Sequence, residues 1–183
     1  MIDQKEAIKA VMNFLQDDTK RTFLVKGYDN DAKIRVVISC LERMFDKGII
    51  RTGTMSDISF LINNAFNKKL LPYTIKSTIL YNLGKMTVNI NSYATHTKSN
   101  PKGNKNTFTL FYPVESVLKN AKRYDEFLQE INKTESEKII LITTNEWGIN
   151  NWDIENHVDQ VFFYSVENDN PQIMINLKNN GAI

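Results

Sequence analysis

The strongest constraint in this sequence is a pair of short runs with no polar side, Lys138-Ile139-Ile140-Leu141-Ile142-Thr143 and Thr22-Phe23-Leu24-Val25. Successive residues of a strand point to opposite faces, so a strand that is apolar at every position must be covered on both. Helical patterns alternate with these runs. Ala7, Ile8, Val11, Met12 and Leu15 share one face, as do Ile34, Val37, Ile38, Leu41 and Phe45, and Ile58, Leu61, Ile62, Ala65 and Phe66 after Ser56. Strands alternating with helices imply a three-layer α/β domain, a mainly parallel central sheet flanked by helices. Further strands are expected at Gly48 to Gly53, Met86 to Asn91 and Thr107 to Tyr112, and a helix along Val114, Val117, Leu118, Ala121, Leu128 and Ile131. Asp3 with Glu6 has the spacing of a capping box for the first helix. Val158 to Val166 and Gln172 to Leu177 are read as closing strands, paired across Asn168-Asp169-Asn170-Pro171.

At 183 residues the chain has the length of one domain, taken as 1–183. Its 42% hydrophobic and 24% charged residues exclude whole-chain disorder. No apolar run reaches the ~18 residues of a membrane helix, and the Met1-Ile2-Asp3-Gln4 start has no signal-peptide character, so a cytoplasmic protein without membrane contact is expected. The single Cys40 and the two histidines, His96 and His157, cannot assemble a Cys/His metal site, and no metal ligand set is assigned. Cys40 reads as a small buried hydrophobe and both histidines as surface residues. With Lys plus Arg at 23 and Asp plus Glu at 21, any nucleic-acid site must be local. The segment from about 95 to 106 lacks apolar periodicity and carries Lys98, Lys102 and Lys105, which reads as an exposed basic loop.

The stretch Thr22-Phe-Leu-Val-Lys-Gly27-Tyr-Asp-Asn-Asp-Ala32-Lys33-Ile34 lays out a strand, a loop beginning with glycine and a helix beginning near a lysine. A phosphate-binding loop needs that order, because amides at a helix N-terminus face the phosphates while the lysine reaches the outer ones. Gly27 and Lys33 stand at the two ends of G-x-x-x-x-G-K-[ST], and here the sequence resembles the P-loop NTPases, in particular superfamily 1 helicases and AAA-type ATPases. Gln4 and the helix from Glu6 to Leu15 precede the strand as in the helicases. Ile139 to Asn145 looks like the AAA-type strand whose terminal Thr or Asn senses the γ-phosphate, which makes Asn145 the candidate sensor. The motif is degenerate in this chain. Ala32 replaces the second glycine, Ile34 replaces the magnesium-binding hydroxyl, and Pro113-Val114 follows the strand at 107–112 where a metal-holding acid would stand. Asp29 and Asp31 add negative charge to a loop meant for a polyanion.

The resemblance implies a catalytically degenerate P-loop-like protein, a binding or assembly module in DNA processing or a mobile-element system. Its partners would be DNA or single-stranded nucleic acid, a second copy of itself or another protein. Lys98, Lys102 and Lys105 would contact nucleic acid, and Trp147 and Trp152 would mark a partner surface. Two enzymatic alternatives stay open. One is an ATPase binding ATP and magnesium through a non-standard loop, with Asp29, Asp31 or Glu115 on the metal. The other is a magnesium-dependent nuclease built on Asp31-Ala32-Lys33.

Overall fold

The structure is a computed structural model that describes residues 1–95, 100–144, 146 and 152–183. In chain order its elements are α1 (Ile2–Gln16), β1 (Thr22–Lys26), α2 (Asn30–Met44), β2 (Lys47–Thr52), α3 (Ile58–Phe66), β3 (Leu80–Leu83), β4 (Met86–Ser92), β5 (Phe108–Phe111), a 3-10 turn (Glu115–Lys119), α4 (Ala121–Lys133), β6 (Lys138–Ile142), a second 3-10 turn (Asp153–His157), β7 (Gln160–Phe163) and α5 (Pro171–Asn179).

The strands form one sheet in the order β3-β4-β2-β5-β6-β1-β7. Every neighbouring pair is parallel except the β3–β4 hairpin at one edge. The two-sided apolar strands lie side by side, with Phe23 opposite Ile140 and Leu24 opposite Leu141. Phe23, Val25, Ile140 and Ile142 point into a core shared with α1, α2 and α3, where Phe14 stacks on Phe23 at 4.7 Å between ring centroids. Leu24, Ile139 and Leu141 point the other way, toward Phe127 and Ile131 of α4. Alternate side chains of one strand thus serve two cores, which is why neither face tolerates a polar residue.

The expectations at the chain ends need correction. The C-terminal hairpin does not form: β7 is a short edge strand on β1, and residues 171–179 are helix α5. Pro171 opens α5 at a position where a missing amide hydrogen costs nothing. Asp3 does not cap α1, because it is the second residue inside that helix. Its buried carboxylate accepts hydrogen bonds from the amides of Asn168 and Asp169 and from Asn168 Nδ2, at 2.7–2.9 Å. Asp169 in return accepts the amides of Ile2 and Gln4, at 2.7 and 2.8 Å, and so caps α1 from across the fold. These amide bonds hold the Asp3 carboxyl below the usual carboxylate range despite burial, which acts the other way. The helix expected from Val114 to Ile131 is two pieces, a 3-10 turn and α4, separated by Asn120. The Asn120 side chain caps α4 by accepting from the amides of Lys122 and Arg123.

Candidate functional site at the carboxyl ends of β1 and β6

Parallel α/β sheets place ligands at the carboxyl ends of their strands. Here that edge brings together the loop after β1, the first turn of α2 and the residues after β6. Only Gly27, Tyr28 and Asp29 separate β1 from α2. Gly27 has φ +135°, and a Cβ there would meet the Tyr164 carbonyl oxygen at 2.4 Å, so glycine is demanded by the backbone that follows β7. Asp29 is the N-cap of α2, its carboxylate accepting from the Ala32 amide at 2.9 Å. That amide is one of those an incoming phosphate would need.

Lys33 lies in the first turn of α2 and is completely buried. Its ammonium donates to the carbonyls of Gly27 and Thr143, one from each strand end, and lies 3.5 Å from Glu146 Oε1. The same carboxylate oxygen accepts from the Gly27 amide at 2.9 Å and from the Thr143 hydroxyl. Glu146 is itself 6% exposed. Its other oxygen, Oε2, accepts no hydrogen bond from the described residues and sits 3.9 Å from Lys26 Nζ, which is also paired with Glu155 at 2.7 Å. Burial pushes the Lys33 pKa down from 10.5 to about 8, opposed by the negative charges of Glu146 and Glu115.

Glu115, an alternative magnesium ligand, is engaged by Thr144 instead. It accepts from the Thr144 amide and, at 2.9 Å, from the Thr144 hydroxyl. Asn30 Nδ2 donates to the Thr144 carbonyl at 3.2 Å, so the residue after Thr143 is tied to both α2 and the 3-10 turn. A cleft of about 140 Å³ lies beside the start of α2, lined by Gln4, Asp29, Ala32, Arg35, Tyr164 and Asp169. Gln4 thus shares a cleft with Asp29 of the loop after Gly27.

Gly27, Ala32 and Lys33 are brought together, whereas Asp31 and Lys33 are not. Asp31 Oδ2 accepts from Asn64 Nδ2 of α3 at 2.9 Å, on the opposite side of α2 from the buried ammonium. Burial and the neighbouring Asp29 raise the Asp31 pKa. Ile34 is buried in the core, where it offers no ligand atom. No three His, Cys, Asp or Glu side chains among the described residues are grouped to hold a metal ion.

Asn145, Trp147, Lys98 and His96 lie outside the described residues. Lys102 and Lys105 are exposed and precede β5, at the opposite end of the sheet from Lys33. The Lys102 carbonyl accepts from the Glu135 amide at 2.7 Å, which fastens that part of the loop to the end of α4. Trp152 is half-buried, 5.8 Å from the Tyr124 ring and against the α4-side core. His157 Nε2 lies 3.3 Å from Asp153 Oδ2 on the surface, and Cys40 is buried with its thiol pKa raised to about 11.

Glu146 was not legible as a site residue, since a lone acid after a strand has no motif. No helix among the described residues is long and apolar enough to cross a membrane. No protein-family model matches the chain, and no curated protein matches it.

Proposed function

We propose that this protein is a P-loop-like domain that has given up nucleotide chemistry and acts in the cytoplasm as a binding or assembly module, in DNA processing or a mobile-element system. The observation that carries the reading is the state of Lys33. Its ammonium is consumed by two carbonyls and a carboxylate of its own chain, with none of its surface left to a ligand. The Ala32 amide is likewise taken by Asp29. Two groups that a phosphate loop offers to its ligand are here taken by the chain itself, the Ala32 amide by the helix cap and the Lys33 ammonium by the ends of β1 and β6. The pairing of β1 with β6 supports the P-loop comparison, because it sets the loop after Gly27 beside the end of the Thr143 strand.

The test is a thermal-shift series with ATP, GTP and ADP, each with and without magnesium, on wild type and Lys33→Ala. A ligand that binds only the folded state must raise the melting temperature. The expected outcome is no rise under any condition. A rise of about 2 °C or more that disappears in Lys33→Ala would replace this reading with the ATPase one.

A further inference from the structure

Charge is segregated along this chain far more sharply than the net +2 suggests. From Ile58 to Val114 there is no Asp or Glu, while Lys68, Lys69, Lys76, Lys85, Lys98, Lys102 and Lys105 all fall within it. That segment carries +7, which leaves −5 for the rest of the molecule. Its first part builds α3, β3 and the connection between them at one edge of the sheet. The connection is laid along α3: Ser59 Oγ donates to the Pro72 carbonyl, Asn63 Nδ2 donates to the Leu71 carbonyl at 2.9 Å, and Asn63 Oδ1 accepts from the amides of Leu70 and Leu71. The Ser59–Pro72 bond sets the neighbouring residues Phe60 and Tyr73 on adjoining backbone. Both rings face solvent, 67% and 79% exposed. Lys69 Nζ rides 4.9 Å from the centre of the Tyr73 ring, and Lys68 and Lys76, near it along the chain, are exposed. Leu80, at the start of the edge strand, is 65% exposed.

Large exposed rings are expensive to keep in water without a use, and here they stand among lysines with no acid from their own segment. Three acids of neighbouring elements are already engaged. Asp31 is bonded to Asn64, Asp57 to the Thr54 hydroxyl, and Glu42 to the Lys85 amide. Flat rings interleaved with unpaired-sign cations are what a strand of bases and phosphates requires, the rings to stack on bases and the ammonium groups to track the backbone. A membrane surface would ask for a continuous apolar face, whereas the exposed positions around Phe60 and Tyr73 include Asn64, Asn67, Lys68 and Lys69.

We infer that the α3 to β3 edge, centred on Phe60, Lys68, Lys69, Tyr73 and Lys76, is a binding surface for single-stranded nucleic acid. This deepens the binding-module reading and rests on it for the choice of partner class. It also places the principal contact away from the loop of Lys102 and Lys105.

Fluorescence anisotropy with a labelled oligo(dT) of about 20 nucleotides, and the matching duplex, tests the assignment across a salt series. Wild type should bind the single strand more tightly than the duplex. Phe60→Ala/Tyr73→Ala should weaken binding about 10-fold or more with little change in salt slope. Lys68→Ala/Lys69→Ala/Lys76→Ala should reduce that slope by about 2, roughly 0.7 for each lost phosphate contact. All five positions are exposed, so melting temperatures should stay near wild type. Loss of binding only in Lys102→Ala/Lys105→Ala would overturn the surface assignment while leaving a nucleic-acid module standing. No binding by wild type, or equal affinity for duplex, would overturn it outright. So would a loss, in the same variants, of capture by phosphatidylserine vesicles alone. A nucleotide-dependent thermal shift would instead defeat the degenerate-loop reading and leave these anisotropy results to be judged separately.

Discussion

Two lysines are buried at opposite ends of the same strand pair, and their surroundings differ in kind. Lys138 begins β6 and its ammonium donates to the carbonyls of Phe14, Asp17 and Lys20 at 3.2, 2.7 and 2.7 Å, lying 5.0 Å from the Phe14 ring centre. Those carbonyls belong to the end of α1 and the turn beyond it, the negative pole of the helix, where a cation is welcome without a carboxylate. Lys33 is in the first turn of α2, at the positive pole, where a cation is unwelcome. Two strand-end carbonyls do not suffice there, and the fold adds Glu146 at 3.5 Å. A phosphate loop normally leaves that compensation to a polyanion. Here Glu146, from the same chain, supplies negative charge beside Lys33.

The sharpest way to break the comparison is to remove the carboxylate. Glu146→Ala removes the carboxylate paired with buried Lys33 and strips the acceptor from the Gly27 amide, for an expected loss of about 3–5 kcal/mol in denaturant unfolding. A loss below about 1 kcal/mol would mean that the carbonyls alone hold the ammonium. Lys138 should cost less, because what its removal leaves behind is neutral. Lys138→Met strands the carbonyls of Phe14, Asp17 and Lys20, and about 2 kcal/mol should be lost with the unfolding slope unchanged. If Lys138→Met proves the costlier of the two, helix-end capping rather than charge pairing dominates this sheet.

How much of this was legible varies with the range of the interactions. The parallel sheet follows from Phe23 to Val25 and Ile139 to Ile142, because two-sided burial is written in each run locally. The spacing of Gly27 and Lys33 is equally local. What neutralises Lys33 is not, since Glu146 reaches it only after β1 and β6 pair. Asp3 misled for the same reason: its spacing to Glu6 fits a capping box, yet Asp169 from the far end of the chain takes the capping position. In α5, Ile173, Ile175 and Leu177 alternate like a strand, but only Ile173 and Met174 pack on the core while Ile175 is exposed, and Pro171 sets a helical start. β3 spans four residues at an edge, too few to carry a period. The acid-free stretch from 58 to 114 was fully legible, but it lies hidden in a near-neutral total and gains meaning only when Phe60 and Tyr73 are seen on the surface.

The smallest effect, and the most specific to Lys33, is on pH dependence. The folded chain releases the Lys33 proton near pH 8, while the unfolded chain holds it up to about 10.5. Between those values the unfolded state carries one more proton, so raising the pH favours the folded state, by at most about 1.4 kcal/mol per unit. Below pH 8 both states are protonated and this contribution is flat. Cys40, with its pKa raised from 9.0 to about 11, works in the opposite direction above pH 9, and Tyr93 and Tyr164, each raised from 10.0 to about 12, do so above pH 10. The clean window is therefore pH 8 to 9. There the stability of wild type, measured against Lys33→Met in the same buffers, should grow by roughly 1 kcal/mol. A difference that stays constant across the window would show that Glu146 and the two carbonyls cancel the cost of burial in full.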